Sequence, residues 1–293
     1  MLLLDTVYNG DCLDVIKTNI DSESIDLIYL DPPFNTNINY NASKGSLASG
    51  AMFKDTWSFK DLDIEWIETI RSRYHKLYRV ICAAMSDEDK SYLYYISIRI
   101  LEMWRILKHT GSIYLHCDSK MSHYLKLVMD AIFGKNNFIN EIIWCYRTGG
   151  ASKKHWARKH DVILMFRKSK NIFFNPIKEK SYLSYRYGFK NVNIFEDENG
   201  FYTKINCRDW WTIEALRGNQ PESLGYPTQK PVKLLARIVE ASCPKNGIVM
   251  DPFCGSGTTL MACKNFGIKF IGIDMSLDAC NIASKRLNIG LEV

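Results

Sequence analysis

Two stretches of this chain combine residue types and spacings that could do chemistry. The first, Asp31-Pro32-Pro33-Phe34, closes the apolar run Ile25 to Leu30. Asp-Pro-Pro is ordinary turn chemistry and would end a buried strand without any function. What that reading leaves unexplained is the placement. A carboxylate at the tip of a buried strand, stiffened by two prolines of fixed φ and followed by an aromatic ring, is a rigid acceptor beside a flat stacking surface. It suits an exocyclic amine on a planar ring: Asp31 and the Pro32 carbonyl accept its two N–H hydrogens, and Phe34 stacks on the ring.

The second stretch is Ile248-Val249-Met250-Asp251-Pro252-Phe253-Cys254-Gly255-Ser256-Gly257-Thr258-Thr259. An apolar strand entering a Gly-x-Gly turn and then a helix lets a ligand lie against backbone at the carboxyl end of a parallel sheet. A glycine pair alone is often only a turn. Here a second strand, Phe270 to Ile273, ends in Asp274, 23 residues after Asp251. That is the interval at which an acidic residue takes a ribose hydroxyl. A dinucleotide fits poorly, because the third glycine of G-x-G-x-x-G is missing and Asp251 would repel a pyrophosphate. A carboxylate there suits a ligand bearing an ammonium group.

The elements that must position these residues follow from period and punctuation. Short β-type runs alternate with helical runs, the pattern of an α/β fold with a doubly wound, mostly parallel sheet. Strands are expected at Ile25 to Leu30, at Ser112 to Cys117 after Gly111, and in the runs Glu141 to Tyr146 and Val162 to Phe166. Helices are expected over roughly Ile64 to Ala84, Asp87 to Leu107, and Ser122 to Phe133, the last closed by Gly134. From Lys168 to Pro227 periodicity weakens and aromatic and basic residues intermix. Order returns with Thr228 as N-cap of a helix from about Lys230 to Ser242, then strand Ile248 to Met250, helix Thr258 to Asn265, strand Lys269 to Ile273 and helix Leu277 to Leu287. The division expected is a catalytic half (1–167), an inserted segment (168–225, with its basic surface beginning near 151) and a cofactor-binding half (226–293).

Composition narrows the function classes. At 293 residues, 46% hydrophobic and 24% charged, the chain can bury a large core and is neither disordered nor collagenous. No apolar run approaches the ~18 residues of a membrane span, and Asp5 interrupts Met1 to Leu4 before a signal-peptide core could form, so a soluble, intracellular protein is expected. The nine cysteines form no C-x-x-C pair, which points to reduced thiols, with neither disulfide nor structural metal. The net charge of +6 is unevenly spread. Residues 151 to 190 hold 11 Lys or Arg against 2 Asp or Glu, while the rest of the chain holds 27 against 30. Any one of these lysines could belong to a solvated surface. An excess of +9 within forty residues fits phosphate contacts better.

Asp-Pro-Pro-Phe together with Asp-x-Phe-x-Gly-x-Gly-Thr resembles the S-adenosylmethionine-dependent DNA amino-methyltransferases, and the order, catalytic motif first, resembles their β group. Tyr8-Asn9-Gly10-Asp11-Cys12, Gly111 to Asp118, and Pro227-Thr228-Gln229-Lys230-Pro231 match as well. The resemblance implies a class I, Rossmann-like methyltransferase fold with an inserted target-recognition segment. It makes Asp31, Pro32, Pro33 and Phe34 catalytic and assigns Asp11, with Cys12 beside it, to the cofactor, Asp11 at its adenine. Asp274 would hold the ribose. Asp251, Pro252, Phe253, Gly255, Ser256, Gly257 and Thr258 would hold the methionine part, and Lys230 the region of the cofactor carboxylate. Lys153, Lys154, Arg158, Lys159, Lys168, Lys170 and Arg186 would contact double-stranded DNA, from which the target base is flipped. The polar stretch Asn35 to Ser58, with Gly45 and Gly50, is either a flap over the pocket or an ordered surface loop. The resemblance also implies a bacterial or archaeal cytoplasmic, nucleoid-associated protein, with a second copy of the chain and a cognate restriction endonuclease as further partners and no membrane.

The expected reaction is direct methyl transfer to N6 of adenine. N4 of cytosine is the close alternative, since those enzymes more often carry Ser where Asp31 stands. A non-catalytic DNA-binding subunit, an RNA or protein amide methyltransferase and a nicotinamide dehydrogenase are the more distant ones. A cysteine nucleophile has no support, because the Pro-Cys dipeptide of 5-methylcytosine enzymes is missing.

Overall fold

The computed structural model describes residues 3–36, 40–41, 46, 48, 52–53, 55–148, 151–184 and 192–292. Its first half runs β1 (Thr6–Asn9), α1 (Cys12–Asn19), β2 (Ile25–Leu30), β3 (Tyr40–Asn41), β4 (Met52–Phe53), α2 (Ile64–Arg73), α3 (His75–Cys82), α4 (Asp87–Ile106), β5 (Leu107–Cys117), α5 (Ser122–Phe133), β6 (Phe138–Cys145) and β7 (His160–Arg167). The second runs β8 (Lys178–Tyr182), β9 (Phe195–Asp197), β10 (Gly200–Asn206), β11 (Trp210–Thr212), α6 (Val232–Ser242), β12 (Ile248–Asp251), α7 (Thr258–Phe266), β13 (Lys269–Asp274), α8 (Leu277–Leu287) and β14 (Leu291–Glu292).

Nine strands form the central sheet in the order β11-β6-β7-β5-β2-β12-β13-β1-β14. All neighbours pair in parallel except at β7, which runs against both β5 and β6. The alternation of side chains along each strand feeds two cores. Ile28 and Leu30 of β2 point into the layer packed by α1, α4 and α5, whereas Leu27 and Tyr29 point into the layer packed by α6, α7 and α8. Burial on both faces is why these strands read as continuous apolar runs. A separate sheet, β8-β10-β9, lies within residues 178–206.

The topology places the site. β2 and β12 are neighbours, yet the chain leaves β2 toward β5 and leaves β12 toward β13. Their carboxyl ends thus open a crevice at the point where strand order reverses, the usual ligand position in open α/β sheets. Asp31 directly follows β2 and Asp251 ends β12.

Several elements differ from the sequence reading. The helix expected over Ile64 to Ala84 is two, broken at Tyr74 (φ −121°, ψ 59°). Buried Ile70, Leu77 and Ile81 keep one helical phase across the break, so periodicity could not reveal it. β5 begins at Leu107 rather than after Gly111, with a register shift against β2 between Ile25 and Leu27. Gly111 is required inside it, because a Cβ there would lie 2.9 Å from the Asp26 carbonyl and 2.7 Å from Leu107 Cδ1. Thr228 is no N-cap: it is exposed with φ +59°, and the helix starts at Val232 after Pro231. The Val232 N–H is met by the Glu222 carboxylate at 2.7 Å, a partner ten residues upstream. The Asn35 to Ser58 stretch lies largely outside the described residues, Gly45 and Gly50 included. Of its described part, β3 pairs with β4.

Candidate active site

A cavity of about 820 Å³ occupies the crevice, lined by residues of both motifs, among them Asp11, Asp31, Phe34, Asp251, Gly255 and Asp274. Beside it lies a second cavity of about 390 Å³, lined by Trp144, Tyr146 and Asp161 and sharing Phe34, Tyr226 and Lys230 with the first.

The first end of the large cavity is built from β12 and β13. Asp251 is 2% exposed, its carboxylate accepting from the Phe253 N–H (3.1 Å) and the Thr259 hydroxyl (2.5 Å). Burial pushes its pKa up to about 7 despite these two bonds. Such a carboxyl is poised to take a positive ligand group, which would restore its charge. Asp274 accepts from the Gly255 N–H (2.9 Å) and the Ser276 N–H (2.8 Å), locking the glycine turn onto β13; burial raises this group too. Gly257 adopts φ +74°, and a Cβ there would sit 2.9 Å from Ala283 Cβ, so only glycine lets α8 pack against the turn. Arg286 of α8 completes the clamp, donating to the Ser256 carbonyl and the Thr258 hydroxyl, both at 3.1 Å.

After β1, the strand next to β13, Asp11 caps α1 through the Leu13 N–H (2.9 Å) and pairs with Arg99 of α4 (2.5 Å). Arg99 lies over the Tyr95 ring at 3.5 Å, and Trp57 packs on the same ring at 4.0 Å. Arg99 escapes sequence reasoning because its partner is 88 residues away. The one available signal is a lone arginine within the apolar stretch Ile98-Arg99-Ile100-Leu101. Cys12 and Cys254 line the cavity, but burial pushes Cys12 up to about 12 and Cys254 well above the ordinary thiol range. Neither is a thiolate near neutral pH, consistent with no cysteine nucleophile.

Asp31-Pro32-Pro33-Phe34 lines the large cavity, and Phe34 lines the second as well. Beyond it, Asp55 is 1% exposed and accepts from the Asn35 N–H (2.7 Å) and the Thr36 N–H (2.9 Å), pinning the chain where Asn35 takes φ +59°. Phe34 stacks on His116 (centroids 5.7 Å, planes at 25°). His116 is fully buried, bonded through Nδ1 to the Tyr29 hydroxyl (2.7 Å) and through Nε2 to Asp161 (3.2 Å). Asp161 also accepts from the Tyr146 hydroxyl at 3.1 Å. Burial by itself would raise the Asp161 carboxyl, but His116, Lys230 and Tyr146 outweigh it and hold the group below its usual range.

Lys230 lines the large cavity, as expected of a residue near the cofactor, and it also pairs with the acceptor carboxylate. Its ammonium, on a residue 8% exposed, lies 2.5 Å from Asp31 Oδ2 and 5.4 Å from the Phe34 ring centroid. The pair neutralises a carboxylate that would otherwise sit uncompensated at a strand tip.

Among the basic residues, Lys153, Lys154 and Arg158 are exposed on the loop joining β6 to β7. Lys159 donates to the Arg147 and Thr148 carbonyls (3.0 and 3.1 Å), closing that loop. Lys168 is a correction. It is 8% exposed and donates to the Leu107 carbonyl at 2.6 Å, with Glu23 at 3.3 Å. Because β7 runs against β5, Lys168 and the exposed Lys170 follow the end of β7 farthest from Asp31, so Lys168 satisfies backbone rather than phosphate. Arg186 lies outside the described residues. Among the described residues, no cluster of His, Cys, Asp and Glu could hold a metal ion and no helix is long and apolar enough to cross a membrane.

The family model of N6/N4-type DNA methylases matches residues 25–285, spanning both motifs. The chain belongs to that family. It is a DNA amino-methyltransferase whose cofactor is S-adenosylmethionine. Among curated relatives, a DNA adenine methyltransferase of Escherichia coli, YhdJ, is 28% identical over 97% of this chain and 83% of its own length. The type II methyltransferase M.HpaI of Haemophilus parainfluenzae is 27% identical over 94% and 73%. Of solved structures, the M1.HpyAVI–SAM complex superposes with TM-score 0.58 over 97% of this chain and 99% of that one, at 20% identity. The cytosine-N4-specific PvuII DNA methyltransferase gives 0.55 over 99% and 98%, at 14% identity. These two similarities establish the class I methyltransferase fold.

The donor set fits the methylase cofactor. Buried Asp251 suits its cationic amino-acid part, and Asp274 at the next strand tip suits vicinal hydroxyls. The tilted Trp57–Tyr95 pair, lining the same cavity as Asp11, suits a purine with an exocyclic amine. When bound, S-adenosylmethionine supplies a methyl group made electrophilic by its sulfonium.

Proposed function

We propose that this chain methylates N6 of adenine in duplex DNA, acting on a base flipped into the space between Phe34 and the second cavity. The observation that carries the reading is the aspartate at position 31, which lines the large cavity three residues before Phe34, the aromatic ring that lines both cavities. An exocyclic amine is a weak nucleophile because its lone pair is delocalised into the ring. Two acceptors, Asp31 and the Pro32 carbonyl, draw its two N–H hydrogens away from the plane of the ring, which makes the nitrogen more tetrahedral, turns its lone pair toward the incoming methyl and leaves Asp31 placed to take the proton that the methylated amine must lose. A charged acceptor does this more strongly than a serine hydroxyl would. Phe34, backed by His116, holds the ring in register with the cofactor end of the crevice, and this orientation accounts for much of the rate advantage. Asp11, Asp251 and Asp274 hold the cofactor, with Gly255, Ser256, Gly257 and Thr258 as its backbone cradle.

The name of the Escherichia coli relative supports adenine as the target. The exposed basic loop at 151–159 and the β8-β10-β9 sheet are the parts that contact DNA in this reading. The type II relatives support a modification role alongside a restriction endonuclease. The test is direct. Unmethylated plasmid DNA is incubated with the protein and labelled cofactor, digested to nucleosides and resolved chromatographically. N6-methyladenine is expected; N4-methylcytosine as the main product refutes the adenine assignment.

A further inference from the structure

Trp156 is the most exposed large hydrophobic side chain described, at 95%. Its surroundings make this more than a stray surface residue. It stands in the loop between β6 and β7, with Lys153, Lys154 and Arg158, all exposed, within three residues on either side. The loop is shaped from within: the Lys154 and His155 N–H groups both bond the Ser152 hydroxyl (3.1 and 3.2 Å), and His155 Nδ1 lies 2.9 Å from the Trp156 carbonyl. Lys159 draws the two ends together through the Arg147 and Thr148 carbonyls. These bonds turn the backbone so that the indole faces solvent.

The stem of the same loop reaches the active site. Tyr146, one residue past β6, and Asp161, in β7, bond each other and line the second cavity beside Phe34. Trp156 is five residues before Asp161, so even a fully extended chain keeps it within about 18 Å of that wall. A large planar ring flanked by cations is therefore tethered within that reach of the cavity that would receive the base. A flipped base leaves a gap one ring thick in a stack of ~3.4 Å spacing, and apolar side chains fill such gaps in other DNA-deforming proteins.

We propose that Trp156 is a wedge that enters the duplex at the target base pair, occupying the stack position of the flipped base while Lys153, Lys154 and Arg158 hold the adjacent phosphates. The proposal rests on the flipped-base reading above. It makes Trp156 a positioning residue, acting on how often the base is out rather than on the transfer itself.

The experiment uses the full chain and an oligonucleotide duplex carrying the sequence that the wild-type protein methylates in plasmid DNA. The target base is either normally paired or opposite an abasic position, which removes most of the cost of flipping. Single-turnover methyl transfer is measured for wild type, Trp156→Ala and Trp156→Phe, with cofactor affinity and thermal midpoint recorded alongside. On the paired duplex Trp156→Ala is expected to lose at least tenfold in rate, with Trp156→Phe in between. On the abasic duplex all three are expected within threefold of each other, with cofactor affinity unchanged throughout. Equal rates on the paired duplex, or the same loss on both duplexes, overturn the wedge while leaving the methyltransferase reading intact. A wild-type protein that transfers no methyl to any DNA removes the flipped-base reading, and the wedge with it.

Discussion

Cofactor affinity should carry the titration of Asp251. Its carboxyl is buried between β12 and α7 and is shifted from 3.8 to about 7, chiefly by desolvation. A cationic cofactor group beside it reverses that cost, so the bound complex keeps Asp251 ionised. Below pH 7 the free protein holds a proton that binding must expel, and affinity therefore falls as pH falls. Between pH 7 and pH 6 the dissociation constant should rise about fivefold, equivalent to ~1 kcal/mol. At pH 7 about half a proton should be released per cofactor bound. Titration calorimetry in two buffers of different ionisation enthalpy reads both quantities. Asp251→Asn, which keeps the shape and removes the titration, should bind more weakly at pH 7 and show no slope between pH 6 and 7. In the cofactor-free protein the same shift has the opposite sense. The folded chain binds this proton more tightly than the unfolded one, so Asp251 lowers stability as pH rises from about 4 to about 7. Flat affinity with no proton release across that window would refute the assignment of Asp251 to a cationic ligand group.

Three further outcomes follow from the geometry. Asp31→Ala should abolish methyl transfer while leaving cofactor affinity within about 1 kcal/mol, and should lower stability by ~3 kcal/mol because it leaves Lys230 buried without its partner; denaturant unfolding and calorimetry check the two parts, and retained turnover would exclude Asp31 as the acceptor. Neutralising Lys153, Lys154 and Arg158 together should reduce the magnitude of the salt slope of DNA binding by up to ~0.9 for each phosphate that the protein no longer neutralises, with cofactor affinity unchanged; an unaltered slope returns them to the solvated surface. Asp161→Asn should slow single-turnover transfer while sparing cofactor binding, because His116 then loses the charged partner that fixes the face on which Phe34 stacks, and an unchanged rate would show that the Tyr29–His116–Asp161 chain serves folding only.

What the sequence determined by itself was local. Apolar runs closed by Asp-Pro-Pro and by Asp-Pro-Phe-Cys-Gly-Ser-Gly name strands, turns and the chemistry at their tips, because a strand buried on both faces and a turn that needs glycine leave few residue choices. The alternation of strand and helix named the fold class for the same reason. What only the tertiary structure decided lies in pairs far apart along the chain. Lys230 reaches Asp31 across 199 residues, Arg99 reaches Asp11 across 88, and Glu222 supplies the acceptor for the first N–H of α6. Composition could locate a basic stretch but could not separate Lys168, which bonds backbone at the far end of β7, from Lys153 and Arg158, which face solvent on the loop before β7. A side chain's role depends on which end of a strand it leaves. That is set by the direction of β7 within the sheet, a consequence of packing the whole chain that no local spacing records.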